Sequence, residues 1–473
     1  MKDNKMKDDR KNLVKIYFVY SMLFIFFVFK MFFYANEISA VPDQDAHISY
    51  IVYMERNPDK VIPKFEDIKM YEVIDTFERG NSKILELGEE GSTCYLGHPP
   101  FYYKFMQLWN IVEIDGEHVY FNITKASYVN ILVTSITMMI ILYIGFIKFR
   151  ENNASWMIHF MYVTICTCLP LYGYIGSGIN NDNLCNLGLV LLIAGILSYF
   201  DKGCCGGTYW LIGIGVVLSV LSKLTAGLIA VLVCIIIAVF DIWKNKKMTI
   251  ICNKYFAVTM PLYFAALSYF IIIYTRYGTY QPSYSILVSA EEFKSSVFYV
   301  DEALRVQMTL GQDIVYYFKG LWSTWVGTYN KSYCIDREGL LAIPFVLTLI
   351  LFLIQAGIAL YKYIKRKELT FDTVAAAFVM AMLITIFRQF RGHWSAYSSR
   401  GYLGGCQARY YMPCLPIIAI GASQLVCNYK CKWDRIQKRV IDIGIVLFSL
   451  LMLYADFFHY IYILYHKQIY ILL

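Results

Sequence analysis

The sequence predicts an all-α polytopic membrane protein of about eleven transmembrane helices, each near the roughly 20 apolar residues needed to span a bilayer. Three observations lead there. Of 473 residues, 58% are hydrophobic and only 16% charged, against roughly 25% charged in soluble domains. Long apolar runs recur from end to end, and the mean hydropathy is +0.48. Basic residues gather in short loops between alternate runs, which is how topology is written in membrane proteins. A soluble enzyme is excluded. The formal charge of +8 is too small to indicate a nucleic-acid partner.

The first run, about Leu13 to Tyr34, follows Lys2, Lys5, Lys7, Arg10, Lys11 and Lys15. It exceeds the 7 to 15 residues of a signal-peptide core, so it reads as a retained helix with a cytoplasmic N-terminus. Further runs lie at about 126–147, 156–176, 183–200, 208–221, 224–243, 255–275, 339–361, 371–388, 410–427 and 440–464. Alternate threading puts Lys148 and Arg150, Lys202, Lys244 to Lys247, Lys362 to Lys367 and Lys430 to Arg439 on the cytoplasmic side, as the positive-inside rule demands. The weakest pair meets around Ser222 to Thr225, where a re-entrant hairpin and two short spans are both open.

The whole chain, 1–473, reads as one integral membrane domain of the cell membrane with three large extracytoplasmic loops: 35–125, 276–338 and 389–408. Loops so long are seldom bare connections. The first is expected to carry short interfacial helices, at Tyr71 to Phe77 and Pro100 to Val112, and Trp322 and Trp325 suggest another in the second. Cys94, Cys334 and Cys406 fall outside and leave one disulfide open, with the pairing unreadable.

Chemistry-bearing residues cluster at the outer boundary. PDQDAH places Asp43, Asp45 and His47 just beyond the first helix. Carboxylates this close suit a general base or a divalent-metal site, Mg or Mn, against the alternative of a solvated loop. GHPPFYY puts His98 on a proline-stiffened turn. Asn180, Asn181, Asp182 and Asn183 form a polar cluster at a helix start, and capping accounts for one such residue but not for four. Lys223, in LSKLTAG, sits among apolar neighbours, where a lysine costs on the order of 2.5 to 3.5 kcal/mol to insert; snorkelling to the surface is the alternative. Arg409 opens the tenth helix after a loop holding Arg388, Arg391, His393 and Arg400. Arginine and a helix N-terminus both suit phosphate, and pairing with lipid headgroups competes most for Arg388 and Arg391.

Taken in order, PDQDAH, GHPPFYY, NNDN, SKLTAG and QARYYMPCLP resemble the bacterial branch of the GT-C superfamily of membrane-embedded glycosyltransferases. The likeness is to a family of membrane proteins with a PDE-x-x-H start and a late QGRY-x-x-P-x-x-P motif, more distantly to protein O-mannosyltransferases and the aminoarabinose transferases that modify lipid A. It implies a GT-C type fold and transfer of a sugar from a polyprenyl-phosphate donor to a glycan, lipid or protein acceptor outside the membrane. Asp43 and His47 then correspond to the family's acidic residue and histidine. Gln44 stands where an acidic residue is usual and Asp45 where proline is usual, which leaves open which carboxylate is the base. Ala408 replaces glycine and keeps Arg409 in register. His47, His98, Asn181, Asp182, Lys223, Arg400 and Arg409 are the expected substrate-binding set, with Asp43 and Asp45 catalytic. A lipid-linked oligosaccharide flippase or transporter, a polysaccharide polymerase and a non-catalytic scaffold remain alternatives; the first would favour midplane polar residues in two similar halves.

Overall fold

A computed structural model describes residues 2–37, 41–73, 85–116, 118–325, 327–328, 333–334, 342–430 and 434–472. Each apolar run becomes a helix. The membrane-spanning set is α1 (Lys2–Glu37), α4 (Ile123–Glu151), the bent pair α5 (Trp156–Thr167) and α6 (Pro170–Ser177), α7 (Asp182–Lys202), α8 (Gly206–Ser222), α9 (Leu224–Asn245), α10 (Lys254–Tyr277), α14 (Ile343–Arg366), α15 (Asp372–Arg400), α16 (Leu415–Lys430) and α17 (Arg435–Leu472). Among the described residues nine helices are long and apolar enough to cross a bilayer, ten if the bent pair counts as one, and α8 is shorter. The 48° bend falls before Pro170, whose ring and missing N–H prevent α5 from continuing.

Close packing of α7 on α8 depends on glycine. A Cβ on Gly215 would lie 2.5 Å from the Leu192 nitrogen, and one on Gly188 2.7 Å from the Ser219 nitrogen. In lipid, where helices gain little from hydrophobic burial against each other, such small residues let backbones approach and pack.

Two expectations are corrected. The first large loop is not purely helical. Beside α2 (Gln44–Arg56) and α3 (Phe101–Gln107) it holds an antiparallel sheet of β1 (Lys69–Val73), β2 (Leu85–Thr93), β3 (Val112–Asp115) and β4 (His118–Phe121), in the order β1-β2-β4-β3. Residues 71–73 of the expected helix are therefore strand, and 74–77 lie outside the described residues. The β3–β4 hairpin turns through Gly116 at φ +61°, directly after Asp115, which pairs with His118; glycine takes that positive φ without steric cost. Val119 and Phe121 alternate inward on β4. In the third expected loop, residues 389–400 are helical rather than irregular, because α15 runs on to Arg400 and stops at Gly401, φ +69°, the left-handed residue that closes many helices.

In the second loop α11 (Tyr284–Leu287), α12 (Ala290–Ser295) and the amphipathic α13 (Leu310–Trp325) follow α10. The segment that follows α1, the start of α7, the α8–α9 junction and the turn leading into α16 meet at one end of the bundle, through Pro42, Asn180, Asn181, Asp182, Ser222, Lys223 and Arg409. Of the cysteines open to pairing, Cys94 is buried as a free thiol, and the side chain of Cys334 lies outside the described residues.

Candidate functional site

Asp43 precedes α2 with φ +66°. That is uncommon for a residue with a side chain, though less so for aspartate. It occupies the N-cap position without capping; its carboxylate turns elsewhere. The Tyr95 hydroxyl donates to Oδ1 at 2.6 Å, and Arg409 Nη2 donates to Oδ2. Arg409 Nη1 also donates to the Pro42 carbonyl at 3.2 Å and comes within 3.9 Å of Asp182 Oδ2. Arg409 is held in a tight 3₁₀ turn, Ala408–Cys414, that leads into α16.

Asp182, the first residue of α7, receives Lys223 Nζ at Oδ1. Lys223 is the single extended residue between α8 and α9, with φ −151° and ψ 124°, and its Nζ lies 4.9 Å from the centroid of the Tyr410 ring. The break in the helical rod aims the lysine into the site.

The asparagine cluster is now accounted for residue by residue. Asn180 Nδ2 donates to the Pro42 carbonyl at 3.2 Å, and its Oδ1 caps the Asp182 N–H at 2.9 Å. Asn181 Nδ2 donates to the Ser222 carbonyl at 2.8 Å, which fixes the residue before Lys223. Asn183 Nδ2 reaches Asn130 Oδ1 at 2.9 Å and the Gly178 carbonyl at 3.0 Å.

Asp43, His47, His98, Lys223, Arg400 and Arg409 line one cavity of about 360 Å³. Asp182 and Asn181 stand behind it and position the two cations. His47 Nδ1 pairs with the Tyr103 hydroxyl at 3.0 Å, and its ring lies nearly parallel to His98, 10° apart with centroids at 6.2 Å. His98 Nδ1 meets the Gln281 amide nitrogen at 3.0 Å. Arg400, at the end of α15, packs over Phe293 and Tyr402, and its buried Nε has no hydrogen-bond partner.

Burial opposes ionisation of Asp43, yet the Arg409 guanidinium and the Tyr95 hydroxyl outweigh it and hold the carboxyl well below the usual carboxylate range. Burial, with Lys223 and Arg409 nearby, pushes His98 down to about 3. Burial lowers His47 well below its ordinary value, with His98 and the same two cations adding to the effect. Both imidazoles are therefore neutral at pH 7, and Asp43 is ionised.

Asp45 departs from expectation. It is exposed in the first turn of α2 and is not among the residues that line the cavity. Both Asp43 oxygens are already engaged, and among the described residues no group of three His, Cys, Asp or Glu could hold a metal ion. The residues present do not fit a metal bridge between Asp43 and Asp45. Three participants went unread in the sequence. Tyr95, Gln281 and the Asp313 partner of His393, 3.0 Å from its Nε2, are single polar residues without a motif around them.

Fold and site together define a multi-span helical membrane protein with a buried, mixed-charge cavity at one end of the bundle. The chain belongs to the family described as Predicted membrane protein (DUF2142), whose pattern matches residues 62–418. No curated protein matches its sequence significantly. Among solved structures it is similar to ArnT from Cupriavidus metallidurans bound to undecaprenyl phosphate, with 12% identity, a TM-score of 0.44, and 86% of this chain covered. The match spans 60% of that longer chain.

Proposed function

We propose that this chain is a membrane glycosyltransferase that moves a sugar from a polyprenyl-phosphate donor to an acceptor hydroxyl at the outer face of the cell membrane. The observation that carries the reading is the convergence of one ionised carboxylate, Asp43, with Lys223, Arg400 and Arg409 around a cavity at the ends of apolar helices. A polyprenyl donor keeps its tail in lipid and its phosphate at headgroup level, so it needs cations at this boundary.

Two carboxylates, Asp43 and Asp182, already balance Lys223 and Arg409. Arg400 is then the cation left over for an incoming phosphate, a geometry that guanidinium suits. Asp43 takes the proton of the acceptor hydroxyl as that oxygen attacks the anomeric carbon. The bond from that carbon to the phosphate oxygen breaks with inversion, and the phosphate leaves with its electron pair. Lys223, Arg400 and Arg409 stabilise the charge that grows on it. Bound to Arg409, Asp43 is a weak base. A phosphate that shares the guanidinium draws off part of that charge and raises the basicity of Asp43 when the donor is present. His47 and His98, both neutral, offer hydrogen bonds to the sugar without adding charge.

Sugar transfer measured in membranes tests the assignment. Asp43→Asn is expected to lower the rate by about 10² to 10⁴, the usual contribution of a general base, and Asp45→Asn to leave it within a few-fold. Full activity in Asp43→Asn would overturn the mechanism.

A further inference from the structure

The outer half of α15 carries polar side chains that the proposed reaction does not use. Arg388, Arg391, Ser395 and Ser399 recur at three- and four-residue intervals, so they share one face of the helix. With Arg400 they line a polar hollow of about 490 Å³. Gly392 and Arg400 line both this hollow and the catalytic cavity, so the two adjoin. The Arg388 guanidinium leans over that junction, since a Cβ on Gly392 would lie 3.7 Å from its Nη1.

Arg388 and Arg391 are exposed. Among the described residues, no carboxylate forms an ion pair with either of them or with Arg400. Basic residues at the outer end of a span run against the positive-inside rule, so membrane topology does not explain them. At 1.5 Å per residue the stripe from Arg388 to Arg400 is about 18 Å long. That is several times the size of one phosphate, and it suits a linear chain with an anion on successive units.

We propose that this face binds the acceptor, and that the acceptor is an anionic polymer bearing phosphate or carboxylate groups along its length. Calling the ligand an acceptor rests on the transferase reading above; the recognition chemistry does not. One end of the polymer follows the arginine stripe, and its terminal hydroxyl enters the cavity past Gly392.

The test uses the full-length protein in nanodiscs of phosphatidylcholine alone and measures binding without turnover. Probes are an oligomer of glycerol phosphate, an oligogalacturonate and a dextran of matched length. Saturable binding of one or both anionic probes is expected, with none for dextran. It should weaken at least tenfold in the Arg388→Gln/Arg391→Gln variant and fall steeply with added salt in the unaltered protein, as for any contact between cations and a polyanion. Preference between the two anionic probes assigns phosphate or carboxylate. Equal binding by wild type and variant, or no anionic binding, would overturn the proposal. So would an effect of the arginines confined to retention of phosphatidylglycerol in discs that contain it, since the face would then hold lipid headgroups. Sugar transfer with no anionic-polymer binding would sink this inference alone; loss of the Asp43 effect would sink the transferase reading and leave the binding result standing.

Discussion

At the scale of single residues, the site separates groups kept charged from groups kept neutral. Asp43 stays ionised because Arg409 and Tyr95 hold it so, while burial keeps His47 and His98 uncharged beside two cations. The histidines tie stability to pH with a definite sign. An unfolded histidine titrates near 6.5, and folded His98 only at about 3. Below pH 6.5 the unfolded state therefore binds the extra proton, and stability falls with falling pH until about 3. One such group contributes about 1.4 kcal/mol per pH unit across that window. In His98→Gln the decline in thermal stability between pH 6.5 and 4 is expected to be shallower than in the wild type; identical slopes would show that His98 is not held neutral. The sequence made Asp43, His98, Lys223 and Arg409 visible, because each is a charged or stiffened position beside an apolar run. Tyr95 and Asp313 stayed hidden, because an isolated tyrosine or aspartate is marked only by the partner it meets after folding.

Among the helices, the apolar runs were legible because crossing hydrocarbon imposes both length and composition. The sheet in the first large loop was not, since its strands are short and their mixture of polar and apolar residues reads equally well as an interfacial helix. A second feature beyond the reach of sequence joins the two ends of the chain. Lys30 of α1 and Asp456 of α17 are 2% and 0% exposed and 2.8 Å apart, and Lys30 Nζ also donates to the Thr167 carbonyl at 2.7 Å. That carbonyl is the last of α5, freed by the break before Pro170, so one lysine ties together three helices. Because they stand 426 positions apart in sequence, no pattern in the chain announces the pair. Asp456→Asn leaves Lys30 charged and buried without its counter-ion, which typically costs 3 to 5 kcal/mol. A drop of that size is expected in the unfolding free energy measured in detergent, largely recovered when Lys30→Met is added. A double variant no more stable than Asp456→Asn would contradict this account of how α17 docks.

For the molecule as a whole, the bundle gathers at one end the polar residues that are scattered over some 370 positions of sequence. The break between α8 and α9, the start of α7, the turn into α16 and the overlong end of α15 each contribute one charged side chain there. Helices of unequal length and interrupted helices are what make this possible, because uniform rods would leave only apolar surface at the same depth. The proposed reaction requires this end of the bundle to receive a lipid-borne phosphate. The most direct measurement is a cryo-electron microscopy map of the protein in nanodiscs supplied with polyprenyl phosphate. Phosphate density is expected within hydrogen-bonding distance of Arg400, with Lys223 or Arg409, and a prenyl tail leaving between the spanning helices. Phosphate bound at the opposite end of the bundle, or a cavity that stays free of it at saturating lipid, would contradict the proposed reaction.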